Sequence, residues 1–152
     1  MNPPGGRLAL VVESNPDLAD GIHHALTMDK LVREVVVMPD GRETLGYLLG
    51  RGVYRERDTR DMPCVILVNL ALPGLDALQL LRELRAHERT KLLPIAVFSS
   101  SEERQEEVAN IVYSLGVNSY LGKTPWDESF AETLRMFARY WFVLNEPPPT
   151  TP

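Results

Sequence analysis

A short apolar run in the middle of the chain constrains the fold more than any other feature. Residues 64–68 are Cys-Val-Ile-Leu-Val, Asn69 follows them, and Pro73 and Gly74 mark a turn soon afterwards. A run of this length between turn signals predicts a strand that is buried on both faces, as in the centre of a parallel sheet. Such a strand places Asn69 in the crevice at the carboxyl edge of the sheet, where open α/β folds carry their chemistry.

Four other apolar runs predict strands, and helical patterns separate them. Asn15 followed by Pro16 is a typical helix start, because asparagine caps the first turn and proline has the backbone angle of a first helical residue. Five strands alternating with five helices predict an α/β fold, a doubly wound parallel sheet with helices on both faces. The predicted strands are residues 7–12, 31–37, 64–69, 94–98 and 119–122, and the predicted helices are residues 16–28, 40–49, 75–84, 102–115 and 127–144.

Composition limits the class of protein. The chain has 152 residues, 44% of them apolar, which suits one domain with its own core. The net charge of −5 is scattered in sign, so nothing favours nucleic-acid binding, and no apolar run approaches the roughly 20 residues of a membrane span. One cysteine, Cys64, excludes an internal disulfide. The charged segment 51–62 alternates in sign and predicts a solvated loop rather than a docking patch.

The ends of the chain differ from its middle. Residues 1–6 lack the apolar region of a signal peptide, so a cytoplasmic protein is expected. We expect a disordered N-terminus over residues 1–6, one domain over residues 7–145 and a proline-rich tail over residues 146–152.

Polar residues end four of the five predicted strands: Glu13, Asn69, Ser99 and Lys123. Because the carboxyl ends of parallel strands lie along one edge of a sheet, these four side chains are expected to converge. One polar residue at a strand end is ordinary, whereas four from four strands indicate a functional site.

These four positions, together with Tyr120 and the pair Pro73-Gly74, resemble the signature of receiver domains in two-component response regulators. The resemblance covers about residues 7–145 and implies a flavodoxin-like sheet of strand order 2-1-3-4-5, with the site between strands 1 and 3. Several segments are similar, more narrowly, to the single-domain response regulators associated with phytochrome histidine kinases. They are residues 40–43, 48–52, 116–121 and 140–149.

The phosphoacceptor position departs from that family. The resemblance implies that an aspartate takes the phosphoryl group, yet this position is Asn69, whose amide is a poor nucleophile. The family's acidic pair is here Glu13 and Ser14, so one of its carboxylates is also gone. Because a single engineered block at Asn69 would leave the acidic pair intact, the change at Ser14 favours natural loss of the reaction.

The resemblance also implies a Mg²⁺ ion held by the acceptor, the acidic pair and a backbone carbonyl. In this chain the corresponding ligands are Glu13, the amide oxygen of Asn69 and the carbonyl of Ala71. Mg²⁺ prefers charged oxygen ligands, so we expect this metal site to be weak or lost, and no other cofactor is expected. Lys123 then faces a neutral amide, and Glu13 is its expected partner.

The residues that imply conformational switching are retained. By resemblance, the Ser99 hydroxyl turns toward a phosphoryl group and the Tyr120 ring moves inward, although the charge that would drive both is absent. Receivers usually have Lys-Pro after strand 5, whereas this chain has Lys123-Thr124-Pro125. A cis bond before threonine costs about 3 kcal/mol, so we expect a trans Lys123–Thr124 bond, with any cis bond moved to Thr124–Pro125.

The last predicted helix carries two apolar stripes. One suits packing on the sheet and consists of Phe130, Leu134, Phe137 and Trp141. The second lies about 130° around the helix and consists of Met136, Tyr140 and Val143. A surface helix needs one apolar face, so the second stripe predicts a protein interface, unless the proline-rich tail folds back over it. By resemblance, members of the subgroup form homodimers, and two-fold pairing of one patch suits such a surface.

Three functions are weighed. The favoured one is a degenerate receiver, a pseudo-receiver, that acts as a dimeric interaction module in phytochrome-linked signalling without aspartyl phosphorylation. The alternative is a working phosphoacceptor that uses another carboxylate, Asp76 or Glu13. The third is a small α/β enzyme or ligand binder, and the sequence has no nucleophile–base pair and no glycine-rich phosphate loop to support it. His23 and His24 have no third metal ligand at a suitable spacing.

Overall fold

Five parallel strands form a sheet in the order β2-β1-β3-β4-β5. This computed structural model describes residues 6–72, 77–100 and 104–149, and predictions for the other residues, among them Asp76 and Glu102, lie outside the described residues. The predicted flavodoxin-like strand order is confirmed. The strands are β1 (Leu8–Val12), β2 (Glu34–Met38), β3 (Val65–Asn69), β4 (Ile95–Phe98) and β5 (Ser119–Tyr120).

Burial explains why the central strands could be predicted. Every residue of β1, β3 and β4 is buried, as expected for strands that helices cover on both sides. The second strand begins at Glu34, not at Leu31 as predicted. Leu31 and Val32 still pack against the core, so their apolar character reflects burial in the turn before β2.

Five α-helices alternate with the strands, and their starts follow the sequence signals. Asn15 Oδ1 accepts hydrogen bonds from the backbone N–H groups of Asp17 (3.0 Å) and Leu18 (3.1 Å). Asp40 Oδ1 accepts one from Glu43 N–H at 2.9 Å. The helices are α1 (Pro16–Thr27), α2 (Gly41–Leu49), α3 (Ala77–Ala86), α4 (Gln105–Ser114) and α5 (Phe130–Arg139), and none of these described helices is long and apolar enough to cross a membrane.

The sheet divides the core into two layers. On one face α1 and α5 pack on alternate residues of the strands, and on the other face α2, α3 and α4 pack on the intervening ones. Cys64 belongs to the first layer, and burial raises the pKa of its thiol to about 11, so it stays protonated at neutral pH. The predicted site lies at the carboxyl ends of the strands, where Glu13 and Asn69 are both buried.

The end of the last helix differs from the prediction of one continuous helix from 127 to 144. After α5 the chain forms a π-helical turn over Tyr140–Leu144, closed by the Asn145 N–H donating to the Tyr140 carbonyl at 2.7 Å. A π turn rotates about 82° per residue against about 100° in an α-helix, so Leu144 falls about 70° behind its α-helical direction. Phe142 is consequently buried, whereas Leu144 is 71% exposed.

The buried guanidinium of Arg7 fixes this turn to the start of β1. Its Nη1 donates to the carbonyls of Trp141 (3.2 Å) and Asn145 (2.7 Å), and Nη2 lies 3.7 Å from the Glu146 carboxylate. Trp141 is half-buried and packs inward on the core of its own chain, as predicted.

The charged segment 51–62 is more ordered than the predicted solvated loop. It begins with a 3-10 turn over Gly52–Tyr54. The guanidinium carbon of Arg57 lies 3.8 Å from the ring centroid of Tyr47, and Arg57 also donates to the carbonyls of Tyr47 and Asp61. Arg57, one of the charged residues, therefore holds the segment on α2, which the charge pattern alone did not predict.

Arg85 at the end of α3 joins two loops at the amino edge of the sheet. Its guanidinium donates to the carbonyls of Gly116 (2.9 Å), Lys91 (2.9 Å) and Leu93 (2.8 Å) and to Asn118 Oδ1 (3.0 Å). Burial lowers the pKa of this side chain, because desolvation disfavours its charged form.

We expect Arg85→Ala to lower the free energy of unfolding by about 2–4 kcal/mol, because the four acceptors lose their donor together. Arg85→Lys should recover only part of it, since an ammonium cannot reproduce the planar fork. Urea unfolding measures both variants. Arg82→Ala is the matched control, because Arg82 is exposed on the same helix, and a loss of equal size there would contradict the assignment.

Candidate functional site

Two buried side chains, Glu13 and Asn69, meet at the centre of the carboxyl edge. Asn69 is the last residue of β3, and Glu13 directly follows β1, the neighbouring strand. Asn69 Nδ2 donates to Glu13 Oε2 at 2.6 Å, and the side chains are 4% and 3% exposed. The central juxtaposition expected from the strand ends is therefore present.

The rest of the local network fixes which way the amide points. Asn69 Oδ1 accepts a hydrogen bond from the Ala71 N–H at 3.0 Å, so Nδ2 faces the carboxylate. Glu13 Oε1 accepts a longer bond, 3.3 Å, from the Asn15 N–H. An asparagine satisfies both neighbours here because its amide has N–H donors as well as an oxygen acceptor, whereas a carboxylate offers acceptors only.

Lys123 does not join this pair, which corrects the expectation that Glu13 is its partner. The Lys123 side chain is 51% exposed, and its ammonium lies 3.7 Å from Asp127 Oδ2, four residues further along the chain. Hydrogen bonds from the Ser129 hydroxyl and backbone N–H lower the pKa of Asp127, and Lys123 adds to the effect. A partner within the same loop restricts fewer bonds than a distant buried one, which favours the local pairing.

The loop that carries Lys123 has only trans peptide bonds. No peptide bond in the described ranges is cis, which confirms the expected trans Lys123–Thr124 bond and leaves Thr124–Pro125 trans as well. Thr124 is 5% exposed, and its hydroxyl has no hydrogen-bond partner among the described residues.

The two predicted switch residues lie at the carboxyl ends of the neighbouring strands β4 and β5. Ser99 follows β4 and is half-buried. Tyr120 ends β5, packs against the second core layer, and donates its hydroxyl to Gln105 Oε1. Burial raises the pKa of the Tyr120 phenol, so it remains a neutral donor at pH 7.

The residues present do not fit a Mg²⁺ ion. Asn69 directs an N–H at Glu13, so the Glu13 carboxylate already accepts a donor where a cation would lie. Ser14 is exposed and has a hydroxyl in place of a carboxylate, and the Asn69 amide oxygen, an expected ligand, already accepts the Ala71 N–H. Over residues 6–72, 77–100 and 104–149, no three His, Cys, Asp or Glu side chains group as metal ligands. The exposed His23 and His24 therefore belong to no such group.

The predicted interface residues form an exposed apolar patch on α5 and the π-helical turn that follows it. Met136, Tyr140 and Val143 are 65%, 49% and 52% exposed. Sequence reasoning missed Leu144, because the π turn that directs it outward leaves no mark in an apolar pattern. The tail, described to Pro149, leaves these side chains exposed, so the alternative that it folds back over them is not met within the described residues.

Two further contacts at the edge were not predicted. The first is the hydrogen bond from the Asn15 N–H to Glu13. The sequence predicted Asn15 only as a helix cap. Trp126 Nε1 donates to the Ser100 carbonyl at 3.0 Å and thereby joins the loops after β5 and β4. A tryptophan in the short loop after β5 was the only sequence signal for the second contact.

Comparisons with known proteins agree with this fold. The chain matches the response regulator receiver domain over residues 9–135. It is 28% identical over 141 residues to the probable methanogenesis regulatory protein FilR2 of Methanothrix harundinacea, covering 93% of this chain and 87% of that protein.

Two solved structures share both the fold and part of the sequence. The phosphorylated cyanobacterial phytochrome response regulator RcpA matches with a TM-score of 0.83 at 27% identity, over 94% of this chain and 99% of that one. The bacteriophytochrome response regulator RtBRR matches with a TM-score of 0.74 at 33% identity, over 95% of this chain and 86% of that one.

Proposed function

We propose that this chain, which belongs to the response regulator receiver family, is a single-domain pseudo-receiver. In this proposal it does not accept a phosphoryl group and acts as a homodimeric interaction module. Its relatives include phytochrome response regulators, and a phytochrome-type histidine kinase is its proposed partner. The family consists of signalling modules, and the proposal assigns no catalytic residue to this chain.

One observation carries the loss of phosphotransfer: the Asn69 amide donates to Glu13 where an acceptor carboxylate is required. The amide nitrogen has no free lone pair, and its oxygen already accepts the Ala71 N–H. Lys123, the cation that would stabilise a transferred phosphoryl group, lies with Asp127. The changes in the nucleophile, in the cation and in the metal ligands therefore all act against phosphotransfer.

Incubation with acetyl phosphate and Mg²⁺, followed by intact mass measurement, tests this proposal. We expect no gain of a phosphoryl group in the native chain, because the acceptor carboxylate is missing. The double variant Asn69→Asp with Ser14→Asp, treated in parallel, controls for the reagent. A phosphoryl group on the native chain that peptide mapping assigns to Asp76 or Glu13 would instead establish a working phosphoacceptor.

The dimer proposal depends on the patch of Met136, Tyr140, Val143 and Leu144. These side chains are about half or more exposed and lie on consecutive turns of one surface. A cluster of exposed apolar side chains is more often a site of association with another protein than a surface that stays in water. A patch on one short segment can pair with its own copy about a two-fold axis, which buries all of its members at once.

A further inference from the structure

The π-helical turn over Tyr140–Leu144 changes the hydrogen-bond partner of one backbone carbonyl. In an α-helix each N–H donates to the carbonyl four residues earlier, so the Asn145 N–H would donate to Trp141. Here the Asn145 N–H donates instead to Tyr140, five residues earlier, at 2.7 Å. The Trp141 carbonyl then needs another donor, because Trp141 is half-buried and an unpaired polar group is costly away from water.

Arg7 supplies that donor from the start of β1. Its Nη1 donates to the Trp141 carbonyl at 3.2 Å and to the Asn145 carbonyl at 2.7 Å. The residue is 7% exposed, and a buried guanidinium requires such acceptors because it keeps its charge. In an α-helix the Asn145 N–H would compete for the Trp141 carbonyl, so the contacts of Arg7 favour the π-helical turn.

The choice between the two turns decides the direction of Leu144. Seven residues are almost two full turns of an α-helix, so an α-helical Leu144 would lie on the same side as Phe137, which is buried. In the π turn it falls about 70° behind that direction, and it is 71% exposed. Leu144 thereby joins the exposed patch of Met136, Tyr140 and Val143.

The packing of Phe142 acts on the same turn. Phe142 is 4% exposed, and its ring lies 6.5 Å from that of Phe137 in an edge-to-face contact. The aromatic contact involves side chains, whereas Arg7 bonds to backbone carbonyls, so the two can be removed separately. A substitution at Arg7 therefore shows which of them sets the turn.

We propose that Arg7 is a positioning residue for the homodimer: it holds the turn after α5 in its π-helical form and thereby turns Leu144 out of the core and onto the interface. The buried guanidinium acts through the turn and does not contact the second subunit. Its effect on the turn is independent of association, and its effect on the dimer rests on the homodimer proposed above.

NMR of the full chain tests the effect on the turn, because a scalar coupling across a hydrogen bond identifies the carbonyl that accepts a given N–H. In the native chain we expect the Asn145 nitrogen to couple to the carbonyl of Tyr140. Arg7→Met keeps a long side chain in the buried position and removes the donors, so we expect the coupling to move to the Trp141 carbonyl. Glu146→Gln is the matched control, because it removes the carboxylate 3.7 Å from Nη2 and leaves both carbonyl contacts, so the coupling should stay at Tyr140.

The dissociation constant of the dimer tests the effect on the interface. We expect Arg7→Met to raise it at least about tenfold, because one apolar side chain of each subunit leaves the interface. Leu144→Ala should raise it by a similar factor. If Arg7 acts through Leu144, the double variant will dissociate no more readily than the weaker of the two single variants, whereas independent effects would multiply.

Three outcomes would count against the inference in different ways. A coupling that stays at Tyr140 in Arg7→Met would overturn it, because the packing of Phe142 would then set the turn. Multiplied effects in the double variant would overturn the route through Leu144. A native chain that is monomeric would refute the homodimer, whereas a moved coupling in that chain would still establish Arg7 as the residue that sets the turn.

Discussion

Asn69→Asp is expected to lower the free energy of unfolding by about 2–4 kcal/mol at pH 7 without divalent cations. In the native chain the Asn69 amide donates to Glu13 at 2.6 Å, with both side chains buried. Aspartate replaces this donor with a second carboxylate, so two like charges lie together in a site of low dielectric constant. Lys123 is paired with Asp127 and does not offset them.

The pH dependence of this loss has a definite sign. Repulsion raises the pKa of the carboxyl pair in the folded variant above the ordinary value of about 4 in the unfolded chain. The destabilisation is therefore absent below that ordinary value, grows as the pH rises, and is complete above the folded pKa. Urea unfolding of the variant and the native chain at several pH values measures it.

Two comparison variants separate the causes. Asn69→Ala removes the donor without adding a charge, and we expect a smaller loss. The double variant with Ser14→Asp should regain stability on addition of Mg²⁺ more than either single variant, because its carboxylates act on one ion. An Asn69→Asp chain as stable as the native one at pH 7, or full recovery by Mg²⁺ in both single variants, would contradict the role given to this pair.

Tyr140→Glu is expected to convert the proposed dimer into a folded monomer, raising the dimer dissociation constant at least about 100-fold. Tyr140 lies in the middle of the exposed patch, so a buried glutamate on each side of a two-fold interface would be unpaired. Because Tyr140 is 49% exposed in the monomer, the fold should survive, as thermal unfolding will show. Sedimentation velocity measures the state of association.

Val53→Glu is the matched control for this experiment. Val53 is 89% exposed in the 3-10 turn after α2, so the variant adds the same charge to an apolar surface position outside the patch. It should leave the dimer intact. A dimer that persists in Tyr140→Glu would move the interface elsewhere, and a native chain that is monomeric at all concentrations would refute the dimer itself.

Local sequence patterns determined the layout of this protein. The apolar runs at β1, β3 and β4 predicted buried parallel strands, because burial on both faces requires an apolar side chain at every position. Asn15 and Asp40 predicted helix starts, because a cap acts within three residues of chain. The same patterns placed Glu13 and Asn69 at strand ends, and the adjacency of those two strands followed from the resemblance to receivers.

Only the tertiary structure decided how the polar side chains pair. The Asn69 amide turns its N–H to Glu13 because the Ala71 N–H occupies its oxygen, and Lys123 takes Asp127 instead of Glu13. The π turn after α5 likewise buries Phe142 and exposes Leu144. Each choice depends on distances of a few ångströms between groups that have several possible partners. Hydrophobic periodicity records which face of an element is buried, and it carries no information on such distances.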